Sequence, residues 1–370
     1  MAQFFASGFR LIDVMEGKLV KKTDPCEYIA LSYVWGQLEP PPLRTNKQNL
    51  SALHEPSSLY PLKEDQSATE QIPRTIADAI ALCRSIGKRY LWVDSICIVQ
   101  DDMDEKRRLI HGMDRVYENA SLTVVALSGS DAAAGLAGIT HRGRDDDNDG
   151  RRHLFHEGHR THCIGISRMS LEEHVRSSHW NTRGWTYQEQ LLTPRKLYFS
   201  SNEVFYECAC GTRREGYKFE GETNARIFDR EGAPWYGRSF VKHSTAGNSL
   251  YSTLPKSWEM RSHDKEFRDI VSIYTRKSLT EPGDILNALT GIYHKFYNSA
   301  GIQGPGIHGL QGNPMQCFFR SLFWFTPGGR HERRSMVNGV RPSSWSWTSF
   351  NAPVDFATAP GAKLSSICGS

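Results

Sequence analysis

Between residues 28 and 127 the chain alternates short, almost wholly apolar runs with amphipathic ones. Tyr28-Ile-Ala-Leu-Ser-Tyr33 is rich in strand formers and is closed by Trp35-Gly36. Pro73 opens a helix in which Ile76, Ile80 and Cys83 fall at i, i+4 and i+7, and Gly87 supplies its stop. Tyr90 to Ile98 is apolar apart from Asp94 and Ser95, as a strand buried on both faces would be. Asp102 with Glu105 makes a capping box for a helix to Asn119, whose Leu109, Ile110, Met113, Val116 and Tyr117 share one face. Ser121 to Leu127 is a third buried strand. Strands without a polar face need helices on both sides, so the expected fold class is α/β: a parallel sheet flanked by helices.

Two long insertions interrupt this order, at 37–71 and 129–179. The first loses periodicity and gains Pro, Ser, Glu and Gln, and reads as a surface excursion. The second contains an Asp-rich loop from Arg142 to Arg152. Asn181 or Thr182 then caps a helix through Leu192, ended by Pro194, and Leu197–Ser200 and Val204–Cys208 read as two further strands. Helices are expected over roughly 264–276 and 282–298, the second with Ile285, Leu289, Ile292 and Phe296 on one face. The resulting partition is a first domain over 1–215, an irregular linker over 216–257 and a helical and irregular region over 258–370.

With 370 residues the chain can bury a sizeable core, and no stretch approaches the roughly 20 apolar residues of a membrane-spanning helix. Arg10, Asp13, Glu16 and Lys18 break the apolar residues of the first twenty positions, so no secretory signal is read there and the cytoplasm is expected. A formal net charge of +4 with acids and bases interspersed gives no basic stripe, which argues against a nucleic-acid partner. Several of the 8 cysteines, Cys83 and Cys97 among them, sit in apolar runs and read as buried thiols. His153, His156, His159, His162 and Cys163 form a regular run, but that spacing matches known zinc-ligand patterns poorly and no metal site is assigned.

Four segments taken together resemble the fungal heterokaryon-incompatibility (HET) family: Tyr28-Ile-Ala-Leu-Ser-Tyr-Val-Trp-Gly36, Ile72-Pro-Arg-Thr-Ile-Ala-Asp-Ala-Ile80, Tyr90-Leu-Trp-Val-Asp-Ser-Ile-Cys-Ile-Val-Gln100 and Arg183-Gly-Trp-Thr-Tyr-Gln-Glu-Gln-Leu-Leu192. Met113-Asp-Arg-Val-Tyr-Glu-Asn-Ala120 and Gly135-Leu136 fit the same pattern and order, whereas Val99 stands where the family usually has an acid. The resemblance implies a role in non-self recognition and incompatibility-type cell death, with self-association or an incompatibility partner protein. HET domains are in turn similar to TIR domains. In the enzymatic members of that group a late helix carries a Trp followed four residues on by a Glu that acts in cleaving NAD. Trp185 and Glu189 have that spacing. The second resemblance thus implies NAD or a related nucleotide as substrate, no resident cofactor, and Glu189 as the catalytic carboxylate.

The residues themselves leave two readings of each position open. Trp185, Glu189 and Leu192 lie at i, i+4 and i+7, so Glu189 shares an apolar face and must either line a cleft or pair, with Arg183 or Arg195, to pin its helix. Ser32, Tyr33, Trp35 and Gly36 end the first strand, where open α/β sheets bind ligands; Gly36 would admit a ligand to the backbone and Trp35 offers a stacking face, or the corner simply packs. Asp94, with Gln100 as its expected neighbour, either meets a ligand or holds its own loop. Arg183 and Trp185 complete the expected substrate-binding set.

Overall fold

The computed structural model describes residues 5, 8–59, 72–140, 153–157, 160–164, 169–209, 211–215, 240–242, 263–298, 322–328, 331–337 and 339–356. The chain divides into two units, one of residues 1–181 and 188–255, the other of 182–187 and 256–370. In the first, the strands in chain order are β1 (Phe9–Asp13), β2 (Lys18–Lys22), β3 (Ile29–Ser32), β4 (Tyr90–Trp92), β5 (Leu122–Ala126), β6 (His153–Glu157), β7 (Arg160–Ile164), β8 (Arg195–Phe199), β9 (Val204–Cys208), β10 (Gly211–Glu215) and β11 (Phe240–Lys242). Its helices are α1 (Leu50–Leu53), α2 (Arg74–Ser85), α3 (Asp94–Cys97), α4 (Met103–His111), α5 (Met113–Asn119) and α6 (Leu171–Ser177), followed by α7 (Gly184–Leu192), whose first turn is counted in the second unit.

The fold is α/β, as the alternation of runs requires. Nine strands form one mixed sheet in the order β11-β10-β9-β8-β5-β3-β4-β1-β2. Its centre, β8-β5-β3-β4, is parallel, with Ile29 level with Leu122 and Leu91, and Val124 level with Leu197. Every residue of β3 and β5 is buried. Both flanks are antiparallel, which the sequence reading did not foresee. The β1–β2 hairpin pairs with β4 through β1, and β9, β10 and β11 extend the sheet beyond β8. The hairpin turn is built by Asp13, whose carboxylate accepts from the backbone N–H of Met15 (3.1 Å) and Glu16 (3.2 Å).

Three elements depart from their expected extents for local reasons. The run Tyr90–Ile98 is buried almost throughout, yet β4 stops at Trp92 and the chain turns into α3. Asp94 draws it out of the sheet: its carboxylate accepts from the N–H of Ser95 at 2.7 Å, an alternative to ladder pairing that Asp readily offers. The helix expected to reach Asn119 breaks at Gly112 into α4 and α5, where glycine costs a helix roughly 1 kcal/mol. Asp102 does cap α4, accepting from the N–H of Glu105 at 3.1 Å. Within the expected excursion at 37–71, α1 forms and Leu43, Thr45, Leu53 and Leu59 are buried, while 60–71 lie outside the described residues.

Two of the family-like segments meet where the loop after β5 packs on α2. Asp78 of α2 is fully buried; it accepts from the N–H of Leu136 at 2.8 Å and from the Thr140 hydroxyl. Thr75 accepts from the N–H of Gly135 at 3.0 Å, and a β-carbon on Gly135 would lie 2.7 Å from the Asp78 carboxylate. These residues lock the loop that follows β5 onto α2.

The second unit contains α8 (His263–Tyr274), α9 (Asn287–Asn298) and a two-stranded ladder of β12 (Trp324–Phe325) and β13 (Asp355–Phe356). The two expected C-terminal helices are present. A 3-10 turn over Pro282–Ile285 precedes α9, and Ile285, Leu289 and Ile292 are buried as their spacing requires. Trp347 is fully buried, in a 3-10 turn capped by Ser346, which accepts from the N–H of Thr348 at 3.1 Å. Among the described residues no helix is long and apolar enough to cross a membrane.

Candidate functional site

The chain leaves β3 for β4 on one side and then crosses to β5 on the other. The path therefore reverses at the carboxyl ends of β3 and β5, the place where open α/β sheets hold their ligands. Ser32 is the last residue of β3 and sits level with Val125 of β5. Its hydroxyl donates to Oε2 of Glu189 and accepts from Nε1 of Trp180 at 2.6 Å. The polarity of this pair of bonds is fixed, because an indole N–H can only donate; the single hydroxyl proton of Ser32 must go to the carboxylate. Ser32 is 1% exposed, Trp180 0% and Glu189 9%, so all three residues are buried and Glu189 the least so.

Tyr117 of α5 closes the other side. Its hydroxyl lies 3.3 Å from the Leu31 carbonyl and is hydrogen-bonded with Glu189. Burial first, then the charges of Glu189 and Asp94, hold the phenol well above its ordinary range, so it stays protonated. Of the expected helix-pinning partners, Arg195 lies on the exposed end of β8 and reaches the Ser121 carbonyl instead, at 3.5 Å.

A second group lies beyond β4. The Trp35 indole donates to both oxygens of Asp94, at 2.9 and 2.8 Å, and the Tyr33 hydroxyl lies 2.8 Å from that of Ser95. Gln100 is the neighbour of Asp94 as expected, but through the backbone: its amide donates to the carbonyls of Asp94 (3.0 Å) and Ile98 (3.1 Å) and ties the turn. Gly36 adopts φ +66°, and a β-carbon there would lie 2.1 Å from that of Asp131. The space beside Gly36 is thus filled by the 130–132 turn, whose Ala132 N–H donates to the Trp35 carbonyl at 3.2 Å.

Ser32, Tyr33, Trp35, Asp94, Gln100 and Glu189 are therefore gathered at one edge of the sheet, and the charges of Asp94 and Glu189 both reach Tyr117. Arg183 and Trp185 belong to the second unit, where Arg183 bridges to Ser278 and the Gly184 N–H donates to the Ser278 carbonyl at 2.7 Å. The sequence reading did not single out Tyr117 or Trp180 as site residues. The signal for the two is a polar-tipped aromatic on an otherwise apolar stretch, which needs a partner once buried.

Cys83 and Cys97 are buried thiols, both pushed up to about 12 by loss of water. The histidine run falls in the β6–β7 hairpin, with His159 outside the described residues. Among the described residues no group of three or more His, Cys, Asp or Glu could hold a metal ion.

Residues 28–189 match the family model described as heterokaryon incompatibility protein (HET). Over these residues the chain is similar to HET domains. The match opens at Tyr28, at the head of β3, and closes on Glu189, so it encloses Ser32 and its carboxylate partner together. The similarity suggests a role in heterokaryon incompatibility. Neither the curated proteins nor the solved structures yielded a match.

Proposed function

We propose that the HET-like domain is a cytoplasmic NAD glycohydrolase that drives incompatibility-type cell death by depleting NAD, with Glu189 as its catalytic carboxylate. The observation that supports this reading is the seating of Glu189 against Ser32, at the carboxyl end of a central parallel strand and at the sheet's reversal point. In the reaction the bond between ribose C1′ and the nicotinamide nitrogen breaks, and its electron pair leaves with the ring. Water adds to C1′ and gives up a proton. The ribose passes through an oxocarbenium-like state that a fixed anion stabilises, and the same carboxylate can accept from ribose hydroxyls. Ser32 donates to Glu189 and fixes its orientation, so that little reorganisation is needed at the moment of cleavage. Trp35, fixed by Asp94, would offer its ring to the substrate; Tyr33 and Gln100 belong to the same proposal.

A second reading, a non-catalytic module that signals by self-association or through an incompatibility partner, draws on the 9% exposure of Glu189. In that case the carboxylate serves only to pin α7. Purified protein at high concentration separates the two by chromatography of NAD and nicotinamide. The hydrolase reading expects nicotinamide release by wild type and its loss in both Glu189→Ala and Glu189→Gln with the fold retained. Absence of turnover in wild type, even when forced to oligomerise, would leave the interaction module standing.

A further inference from the structure

The segment that follows the Trp35–Gly36 corner returns across the site. Thr45 is fully buried and is strapped over the α3 turn from both sides: its N–H donates to the Ser95 carbonyl (3.1 Å), and its own carbonyl accepts from the N–H of Gln100 (2.8 Å). Its hydroxyl donates to the Ile96 carbonyl at 2.5 Å. The preceding residue, Arg44, has its carbonyl held by the Asn49 side chain at 2.8 Å. Its guanidinium lies over the Trp35 ring, 4.8 Å from the centroid. That ring is itself clamped by two hydrogen bonds to Asp94.

This arrangement fixes a cation in place without consuming its donors. A guanidinium stacked on an indole keeps its edge N–H groups in plane and directed outward, in the fork geometry that suits phosphate oxygens. The carboxylate of Asp94, which holds the same indole, is turned to that ring's N–H and to the Ser95 N–H. Among the described residues Arg44 makes no ion pair, and it remains exposed. From Arg44 the contacts continue through Trp35 to Asp94; the charges of Asp94 and Glu189 are both felt at Tyr117, and Glu189 meets Ser32. The track therefore has a cationic, solvent-facing end and an anionic, buried end.

We infer that Arg44, stacked on Trp35, is the phosphate-binding residue of this site, and that the site takes a ligand carrying a diphosphate, such as a dinucleotide, in preference to a bare nucleoside. The inference rests on the reading of Glu189 as the ribose-facing end and extends it to the substrate's charged linker. The polarity of the track orients the ligand: ribose toward Glu189, phosphates toward solvent.

Equilibrium binding tests it with the full chain and three probes: ADP-ribose, inorganic pyrophosphate and nicotinamide riboside. Arg44→Ala is expected to weaken ADP-ribose and pyrophosphate about 10- to 100-fold, the range of a lost charged hydrogen-bonding partner, and to leave the riboside unchanged. Arg44→Lys keeps the charge without the planar fork and should recover only part of the loss. Thermal unfolding of both variants should match wild type, since Arg44 is exposed. Equal ADP-ribose affinity in wild type and Arg44→Ala overturns the assignment, as does failure of wild type to bind either phosphate probe. The two proposals fail separately. Arg44-dependent ADP-ribose binding without nicotinamide release removes the hydrolase and keeps the phosphate site. NAD turnover with an unchanged KM in Arg44→Ala removes the phosphate site and keeps the hydrolase.

Discussion

Replacing Lys196 by Met should cost the first unit about 3–5 kcal/mol, because it strands a charge rather than removing a pair. Lys196 on β8 and Glu207 on β9 face each other across the sheet, 3.3 Å apart, with 1% and 0% exposure. The ammonium also donates to the carbonyls of Gln190 (2.7 Å) and Thr193 (3.4 Å), at the end of the helix that carries Glu189, while the Tyr198 hydroxyl donates to Glu207 at 3.1 Å. Burial lowers the Lys196 pKa and the Glu207 charge opposes that shift, so the pair persists only while both members are present. Against a typical domain stability of about 5–15 kcal/mol, the loss is about a fifth or more. Neutralising the partner as well, in Lys196→Met with Glu207→Gln, removes the stranded charge and keeps an acceptor for Tyr198. The double variant should therefore recover at least about 2 kcal/mol over the single one. Urea titration followed by tryptophan fluorescence measures both, and hydrogen exchange over α7 shows whether its last turn loosens. A single variant within about 1 kcal/mol of wild type, or a double variant no better than the single, would refute the reasoning.

Two further outcomes follow from backbone and burial. Gly36→Ala combines a left-handed φ with a β-carbon 2.7 Å from the Asp131 backbone, and should destabilise by about 1–3 kcal/mol in thermal unfolding. Lys277 of the second unit is pulled by burial from 10.5 down to about 8, with its ammonium 5.2 Å from the Tyr187 ring centroid. Between those values the unfolded chain holds the extra proton, so this group makes stability rise with pH, by up to about 1.4 kcal/mol per unit, and contributes no slope below about pH 8. Lys277→Met should remove that share, seen as a difference between the two proteins' unfolding curves from pH 7 to 10.

The elements with strong periodicity were legible in the sequence: α2 with its glycine stop, β5, the Asp102 cap, and the two C-terminal helices. What escaped was decided by competition that periodicity cannot show. Ser95 to Val99 is as apolar in α3 and its exit as it would be in a strand, and one carboxylate–amide bond settled the matter. The β1–β2 hairpin mixes charge into both strands because it forms one end of the sheet and is only partly buried. At the site, the strand end and Glu189 could each be named, but their union could not. Ser32 and Glu189 are 157 residues apart, and a contact at that distance is a property of topology rather than of spacing. Trp180 was visible only as the point where order resumed, and its role depends on a serine that lies 148 residues earlier.

The one-way sequence of bonds from Trp180 through Ser32 to Glu189 has a consequence for inheritance. Each member meets a demand set by the next: the indole can only give, the carboxylate can only receive, and the hydroxyl converts one into the other. A change at any one position removes a bond that the other two are built to use, so drift at 32, 180 and 189 is coupled, and what is tolerated at one depends on what stands at the others. Such a circuit evolves as one character, although its parts are scattered along half the chain.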